Sequence, residues 1–150
     1  MQRRRAQTRA AVAYTVGFFS AKHLGTGQFY LMTIKDTDGH PFEGAAIYRL
    51  TVPADVPVTL YWSATAYDRA THTLIRDMSW ASRSSNTPGL HVEDDGSVDL
   101  HFAPEPPDGL ESNWVPTKKD GRFEVLCRFY GPDKAFFDKT WRLPDIERVQ

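Results

Sequence analysis

Apolar and polar residues alternate with a period of two along much of the chain, and this alternation is the pattern of β-strands. It is clearest at residues 97–102 and 122–130, where one set of alternate side chains is apolar and the other mostly polar. Residues 28–34 are apolar on both sides, so a strand covered on both faces is predicted there. In all, strands are predicted at residues 28–34, 46–52, 58–67, 72–76, 97–102 and 122–130.

Turn signals separate these segments. Residues 83–89 are a polar stretch with proline and glycine, typical of a loop, and the Asp-Gly pair at 95–96 predicts a hairpin tip. After the last strand, Asp133 is placed to cap a short helical turn that ends at Phe137. Strands at regular spacing with turns between them predict an all-β fold, a jelly-roll-like antiparallel β-sandwich with a short C-terminal helical turn.

The first part of the chain has a different pattern. Residues 10–21 carry apolar side chains at helical spacing, which predicts a short N-terminal helix or, alternatively, an extended lead-in to the sandwich. Basic residues and alanines without acids also resemble a targeting peptide, but the small-x-small cleavage pattern is missing. We therefore divide the chain into a flexible basic tail, residues 1–9, and a single domain, residues 10–150.

Composition narrows the classes of protein. The chain has 150 residues, is 41% hydrophobic and 25% charged, and has a net charge of −1, which is typical of a soluble globular domain and too neutral for general nucleic-acid binding. No apolar run is long enough to span a membrane. One cysteine excludes an internal disulfide and a cysteine-based zinc site, and it is compatible with cytoplasm and periplasm alike, so the localisation stays open.

Residue patterns for catalysis or metal binding are weak. Residues 36–39 (DTDG) begin like a calcium loop, but the sixth and twelfth positions hold Pro41 and Ile47 instead of glycine and glutamate. The histidines form no His-x-His pair, and no serine lies in a Gly-x-Ser-x-Gly elbow. Cys127 alternates with apolar residues and is expected to be buried and inert. No metal, cofactor or catalytic residue is predicted.

Aromatic, amide and charged side chains provide the candidate binding site. Trp114 beside Asn113 is a pair that can stack on a sugar ring and bind its hydroxyls, although core packing is the alternative for any tryptophan. An enzyme site would add charged groups from the neighbouring strands. The candidate binding residues are Tyr67, Asp68, Arg76, Asn113, Trp114 and Arg128.

Several stretches together resemble the family called domain of unknown function 1214 (DUF1214). They are residues 25–30 (GTGQFY), 36–39 (DTDG), 48–53 (YRLTVP), 61–69 (YWSATAYDR), 95–99 (DGSVD), 113–117 (NWVPT), 128–132 (RFYGP) and 137–145 (FDKTWRLPD). The resemblance implies a jelly-roll-like β-sandwich fold and a mostly bacterial family with no established activity. It also implies that such a domain often follows a partner domain of the DUF1254 type, for which this chain has no room.

Three functions are carried forward. The leading hypothesis is a non-catalytic binding or interaction module that packs on a DUF1254-like domain or on a second copy of itself, through an apolar patch of Val16, Phe18, Phe19 and Leu24. The alternatives are a hydrolase or lyase for a small or carbohydrate-like substrate, and a carbohydrate-binding module that uses Trp114 and Asn113. The fold does not decide among these three.

Overall fold

A computed structural model describes residues 27–150 of the chain. The predicted basic tail and the N-terminal helix or lead-in lie outside the described residues. So do the four predicted interface residues Val16, Phe18, Phe19 and Leu24.

The first of two packed sheets has four strands in the order β1-β7-β3-β4, all antiparallel. Its strands are β1 (Gln28–Thr33), β3 (Val58–Asp68), β4 (Ser82–Ser84) and β7 (Phe123–Pro132). The central strand, β7, pairs with β1 on one side and with β3 on the other. Its neighbours therefore come from two segments that are distant in sequence.

The second sheet has the order β6-β5-β2-β8. Its strands are β2 (Tyr48–Val52), β5 (Val98–Ala103), β6 (Trp114–Pro116) and β8 (Glu147–Arg148). A 3-10 turn, Glu111–Asn113, leads into β6, which runs parallel to β5; the other pairs are antiparallel. The predicted all-β sandwich is confirmed, with one parallel pair in the second sheet.

In the part of the chain that the structure describes, helical structure is confined to short segments. The helix α1 (Lys134–Phe137) follows β7, and the side chain of Asp133 accepts a hydrogen bond from the backbone N–H of Lys134, which confirms the predicted capped turn. Among residues 27–150 no helix has the length and apolar character needed to cross a membrane.

The core lies between the two sheets, because alternate residues of each strand point inward. It is unusually aromatic on one side, where Phe29, Phe129, Phe136 and Trp141 pack with ring centroids 4.7–5.7 Å apart. Burying each such ring contributes about 2–3 kcal/mol relative to leaving it exposed. The short helix α1 is therefore held by Phe136, whose ring reaches into this cluster.

Five of the six predicted strands are present, and the strand predicted at residues 72–76 is wrong. Residues 72–76 form no strand; a single bridge between Tyr67 and Leu74 closes a tight loop, and Leu74 is exposed. The edge strand β4 instead overlaps the segment predicted as a polar loop, residues 83–89. The composition of β4 is polar and gives no local sign of a strand. It is extended because it pairs with β3.

Two further details differ from the predictions. The turn at residues 93–97 forms as expected, with Gly96 at φ +84°. It is not a hairpin, because residues 85–92 directly before it form no strand that could pair with β5. The strand β1 is not covered on both faces, since Met32 is half-exposed. Its inner face alone, with Phe29 and Leu31, belongs to the core.

Candidate functional site

The outer face of the first sheet carries a group of tyrosines around one arginine. In antiparallel pairs, residues directly opposite one another point to the same side of the sheet. Arg128 on β7 stands between Tyr30 and Ser63, and Tyr130 is opposite Tyr61. We call this surface the tyrosine–arginine face; its members are Tyr30, Tyr61, Tyr67, Arg128 and Tyr130.

The guanidinium of Arg128 is held in place by hydroxyl groups. Its Nη1 donates to Thr65 Oγ1 at 3.3 Å and its Nη2 to Tyr67 Oη at 2.6 Å. The rings of Tyr30 and Tyr67 lie 5.9 and 5.8 Å from its central carbon, within the range of cation–π attraction. Burial is the largest single influence and lowers the pKa of Arg128, but the hydrogen bond to Tyr67 and the electrostatic interactions with Tyr67, Tyr130 and Tyr30 together outweigh it, so the pKa is raised. This arginine remains a cation.

Arg128 has no carboxylate partner among residues 27–150: the ion pairs found there all involve other residues. A guanidinium has five N–H donors, and a carboxylate is the acceptor that fits its fork best. The tyrosine–arginine face therefore offers a half-buried cation whose preferred acceptor is not supplied by the described chain.

Two of the tyrosines stack beside Arg128. The rings of Tyr61 and Tyr130 lie 4.2 Å apart at 21°, an offset-stacked pair across the strands. Burial, followed by the hydrogen bond with Tyr61, raises the pKa of Tyr130. The Tyr130 hydroxyl is consequently a neutral donor and acceptor at physiological pH.

A buried glutamate closes one end of the face. Glu124 on β7 is opposite Tyr67, and its side chain is only 7% exposed. Arg69 donates from Nη1 to Glu124 Oε2 at 3.3 Å, and His72 Nδ1 donates to Oε1 at 3.0 Å, because a carboxylate can only accept. The carboxylate is thus satisfied on both oxygens, and it is not available to pair with Arg128.

His72 reaches Glu124 because of the loop that follows β3. Asp68 accepts hydrogen bonds from the N–H groups of Ala70 and Thr71, and the N–H of His72 donates to the Asp68 carbonyl. At the end of this loop His72 has φ +55°, a left-handed conformation that costs a residue other than glycine about 1 kcal/mol. From this position the His72 ring reaches Glu124.

The predicted binding residues are only partly brought together. Tyr67 and Arg128 are hydrogen-bonded on the outer face. Asp68 is next to them in sequence, but its carboxylate is used in the loop, and Arg76 is exposed farther along the chain.

Asn113 and Trp114 belong to the second sheet and not to the outer face of the first. The Asn113 amide is fully buried and bonds the backbone of His91 and Asp99. The indole N–H of Trp114 donates to the Ala103 carbonyl at 2.8 Å, and its ring packs edge-on against Trp80. Both side chains therefore tie loops to the second sheet.

Glu124, Arg69 and His72 were not singled out from the sequence. The alternation of β7 does place Glu124 on the same side as Arg128. The alternation does not predict the fold of the loop after β3. That loop brings Arg69 and His72 to Glu124, which is more than fifty residues away in the sequence.

Two cavities adjoin the first sheet, and the first of them is bordered by Tyr61 of the tyrosine–arginine face. An apolar groove of about 300 Å³ opens at the start of β3, where Leu60 is 68% exposed and Val92 51% exposed. A wider, charged cavity of about 510 Å³ lies near the start of β7. Its charged lining residues are Glu43, Arg69, Lys119, Asp120 and Arg122.

One group of side chains has the composition of a metal site. Donor atoms of Asp36, Asp38 and His40 lie within 4.8 Å of one another. Asp36 Oδ1 already accepts the N–H groups of Asp38 and His40, each at 2.9 Å. This arrangement closes a turn, and Asp38 and His40 add only surface donors.

Cys127 has the properties of a core residue. It is buried on the inner side of β7, and burial raises the pKa of its thiol to about 12. Since only the thiolate reacts, we expect a disulfide reagent to modify native protein at pH 8 no faster than the domain unfolds. Modification should be complete within seconds to minutes in denaturant. Rapid stoichiometric reaction of folded protein, followed by absorbance, would contradict this burial.

Comparison with known proteins gives the family and the fold. A family model described as "Protein of unknown function (DUF1214)" matches residues 27–134. No curated protein matches the sequence.

Solved structures share the fold. One similar structure is the VPA0106 protein from Vibrio parahaemolyticus, with 23% identity and a TM-score of 0.72 over 82% of this chain. Another is an uncharacterised protein from Burkholderia cenocepacia, with 18% identity and a TM-score of 0.55 over 97% of this chain. The match spans 31% of the Vibrio chain and 42% of the Burkholderia chain, so in both proteins the fold is part of a longer polypeptide.

Proposed function

This chain belongs to DUF1214, a family of proteins of unknown function, and on that premise we propose that its domain is an interaction module. The tyrosine–arginine face packs on a partner polypeptide that presents a carboxylate to Arg128. The partner is a separate domain or subunit, and the module itself serves to bind.

The observation that carries this proposal is that Arg128 has no carboxylate partner within residues 27–150. A half-buried cation without a counter-ion is costly, whereas a carboxylate docked on it gains two charge-assisted hydrogen bonds. Thr65 and Tyr67 already fix the guanidinium in position, so little side-chain entropy is lost when a partner binds.

The rest of the face has the composition of a protein interface. Tyrosine, arginine and methionine are enriched where proteins meet, and tyrosines and arginines make the largest contributions to affinity. Tyr30, Tyr61 and Tyr130 surround Arg128, and half-exposed Met32 adjoins them on β1. An aromatic surface on the outer face of a sheet fits a polypeptide better than a small molecule, which normally binds in a concave pocket.

Selection from a displayed library of short random peptides tests this function. We expect the peptides recovered on the wild-type domain to be enriched in aspartate and glutamate. Their affinity should fall about ten-fold or more in Arg128→Gln, because the partner carboxylate then loses its cation. The measurement is Kd by fluorescence anisotropy on synthetic copies of the selected peptides.

The matched control is Arg142→Gln. Arg142 is an exposed arginine, and its loss changes the net charge equally. Affinity within two-fold of wild type is expected for it. Peptides without acidic enrichment, equal binding to Arg128→Gln, or no recovery above the background of that variant would each overturn the proposal.

A further inference from the structure

We propose that the partner of the tyrosine–arginine face is an extended acidic segment with two carboxylates six positions apart. One carboxylate contacts Arg128, and the other contacts Arg122, the residue directly before β7, on the same side of the chain. This inference rests on the proposed function and specifies the partner.

Charged residues follow one another along the outer side of β7. Arg122, Glu124 and Arg128 are separated by even numbers of residues, so they share one side of an extended strand. Backbone pairing of Arg122 with Glu43 shows that the chain is already extended there. Along this side of the chain, Arg122 and Arg128 are thus two cations with the carboxylate of Glu124 between them.

The central carboxylate does not cancel either cation. Both oxygens of Glu124 are occupied by Arg69 and His72. Like Arg128, Arg122 forms no ion pair with any residue in the described range 27–150. An approaching acidic segment therefore meets two separate attractive positions with a neutralised region between them.

The position at Arg122 has room for a side chain. Arg122 lines the charged cavity of about 510 Å³ together with Arg69 and Lys119. Arg69 is paired with Glu124 and Lys119 with Glu105, so Arg122 supplies the charge for a carboxylate there. Two acids, Glu43 and Asp120, line the same cavity, which makes it a weaker position than the one at Arg128. We accordingly assign the main contact to Arg128 and the second contact to Arg122.

Strand geometry sets the spacing in the partner. Six residues of an extended strand cover about 20 Å, and an extended partner lying along β7 has the same rise per residue. An even separation also places both carboxylates on one side of the partner. A separation of three positions would be too short and would point one carboxylate away.

Synthetic peptides test the spacing directly. The first has two glutamates six positions apart on a serine background, the second has them three apart, and the reference has glutamine in place of the second glutamate. We expect the six-apart peptide to bind the wild-type domain about five-fold tighter than the reference, the range of one exposed ion pair. The three-apart peptide should bind no tighter than the reference.

Variants separate the two contacts. In Arg122→Gln the six-apart peptide should bind no better than the reference, while the reference keeps its wild-type affinity. In Arg128→Gln both peptides should weaken, and Arg142→Gln should change neither. Because Arg122 is exposed, its replacement is expected to leave the thermal midpoint unchanged.

The outcomes distinguish this inference from the proposed function. If the reference binds and depends on Arg128, but spacing and Arg122 have no effect, the two-point contact is overturned and the interaction module stands. If the reference shows no dependence on Arg128, both are overturned.

Discussion

Replacement of Gly44 by alanine is expected to prevent the domain from folding. A Cβ atom at this position would lie 1.7 Å from the carbonyl oxygen of Lys118 and 2.7 Å from its carbonyl carbon. Both are backbone atoms, so no side chain can rotate out of the way. We expect a loss of more than about 4 kcal/mol in the free energy of unfolding, which is the range reserved for severe core disruption.

Hydrogen bonds on both sides prevent the two segments from moving apart. The N–H of Gly44 donates to the Gly121 carbonyl at 2.8 Å, and the buried Thr117 hydroxyl donates to the Gly44 carbonyl at 2.8 Å. Separating the segments to admit a methyl group would break these bonds and leave buried polar groups without partners. The clash therefore cannot be relieved cheaply.

Gly121→Ala is the matched control for Gly44→Ala. It lies in the facing segment, but its added Cβ would meet no atom within 4 Å. Chemical denaturation followed by tryptophan fluorescence should show a normal transition for this variant and none for Gly44→Ala. A cooperative transition of Gly44→Ala near the wild-type midpoint would disprove the close approach.

The second large effect is expected at Asn113, whose amide organises the second sheet. Its Oδ1 accepts from the His91 N–H, and its Nδ2 donates to the carbonyls of His91 and Asp99, at 2.8–3.0 Å. Alanine would remove all three bonds at a fully buried position. We expect Asn113→Ala to lower the free energy of unfolding by about 3 kcal/mol, since each unsatisfied buried group costs about 1–3 kcal/mol.

This experiment also tests the carbohydrate hypothesis for Asn113. A ligand-binding amide at the surface could be replaced with little effect on stability, as expected for exposed Asn86→Ala. Urea titration of both variants gives the comparison. Equal midpoints for Asn113→Ala and Asn86→Ala would show that the Asn113 amide is not structural.

Alternation in the sequence was enough to assign the two faces of the long strands β3 and β7. It places Tyr61 and Tyr67 on one side of β3, and Glu124, Arg128 and Tyr130 on one side of β7, as the structure has them. Two members of the tyrosine–arginine face, Tyr67 and Arg128, were accordingly among the predicted binding residues.

Which strands pair with one another could not be predicted from the alternation. Nothing local shows that β7 inserts between β1 and β3, so the meeting of Tyr30 with Arg128 could not be predicted. The same reason explains why Asn113 was assigned to the binding site. Its role is set by carbonyl groups fourteen and twenty-two residues away, which no local pattern reveals.

The shortest strands were missed because they contain too few residues for a period. β4 and β6 have three residues each, and β8 has two. Each of them exists through pairing with a longer strand, so tertiary context and not local preference decides its conformation.

The position of β7 in the middle of the first sheet determines the order in which the domain can form during synthesis. β1 and β3 leave the ribosome before β7, but they are not neighbours. Until β7 emerges, β1 lacks its only partner in the described sheet, and β3 has only the short edge strand β4. β2 and β5 of the second sheet can pair earlier, because both precede β7 in the chain. Sequence-distant pairing is slow because the loop must close before contacts form. The nascent chain therefore exposes the aromatic inner residues of β1 and β3 until β7 arrives, and this is the interval in which chaperones would bind it.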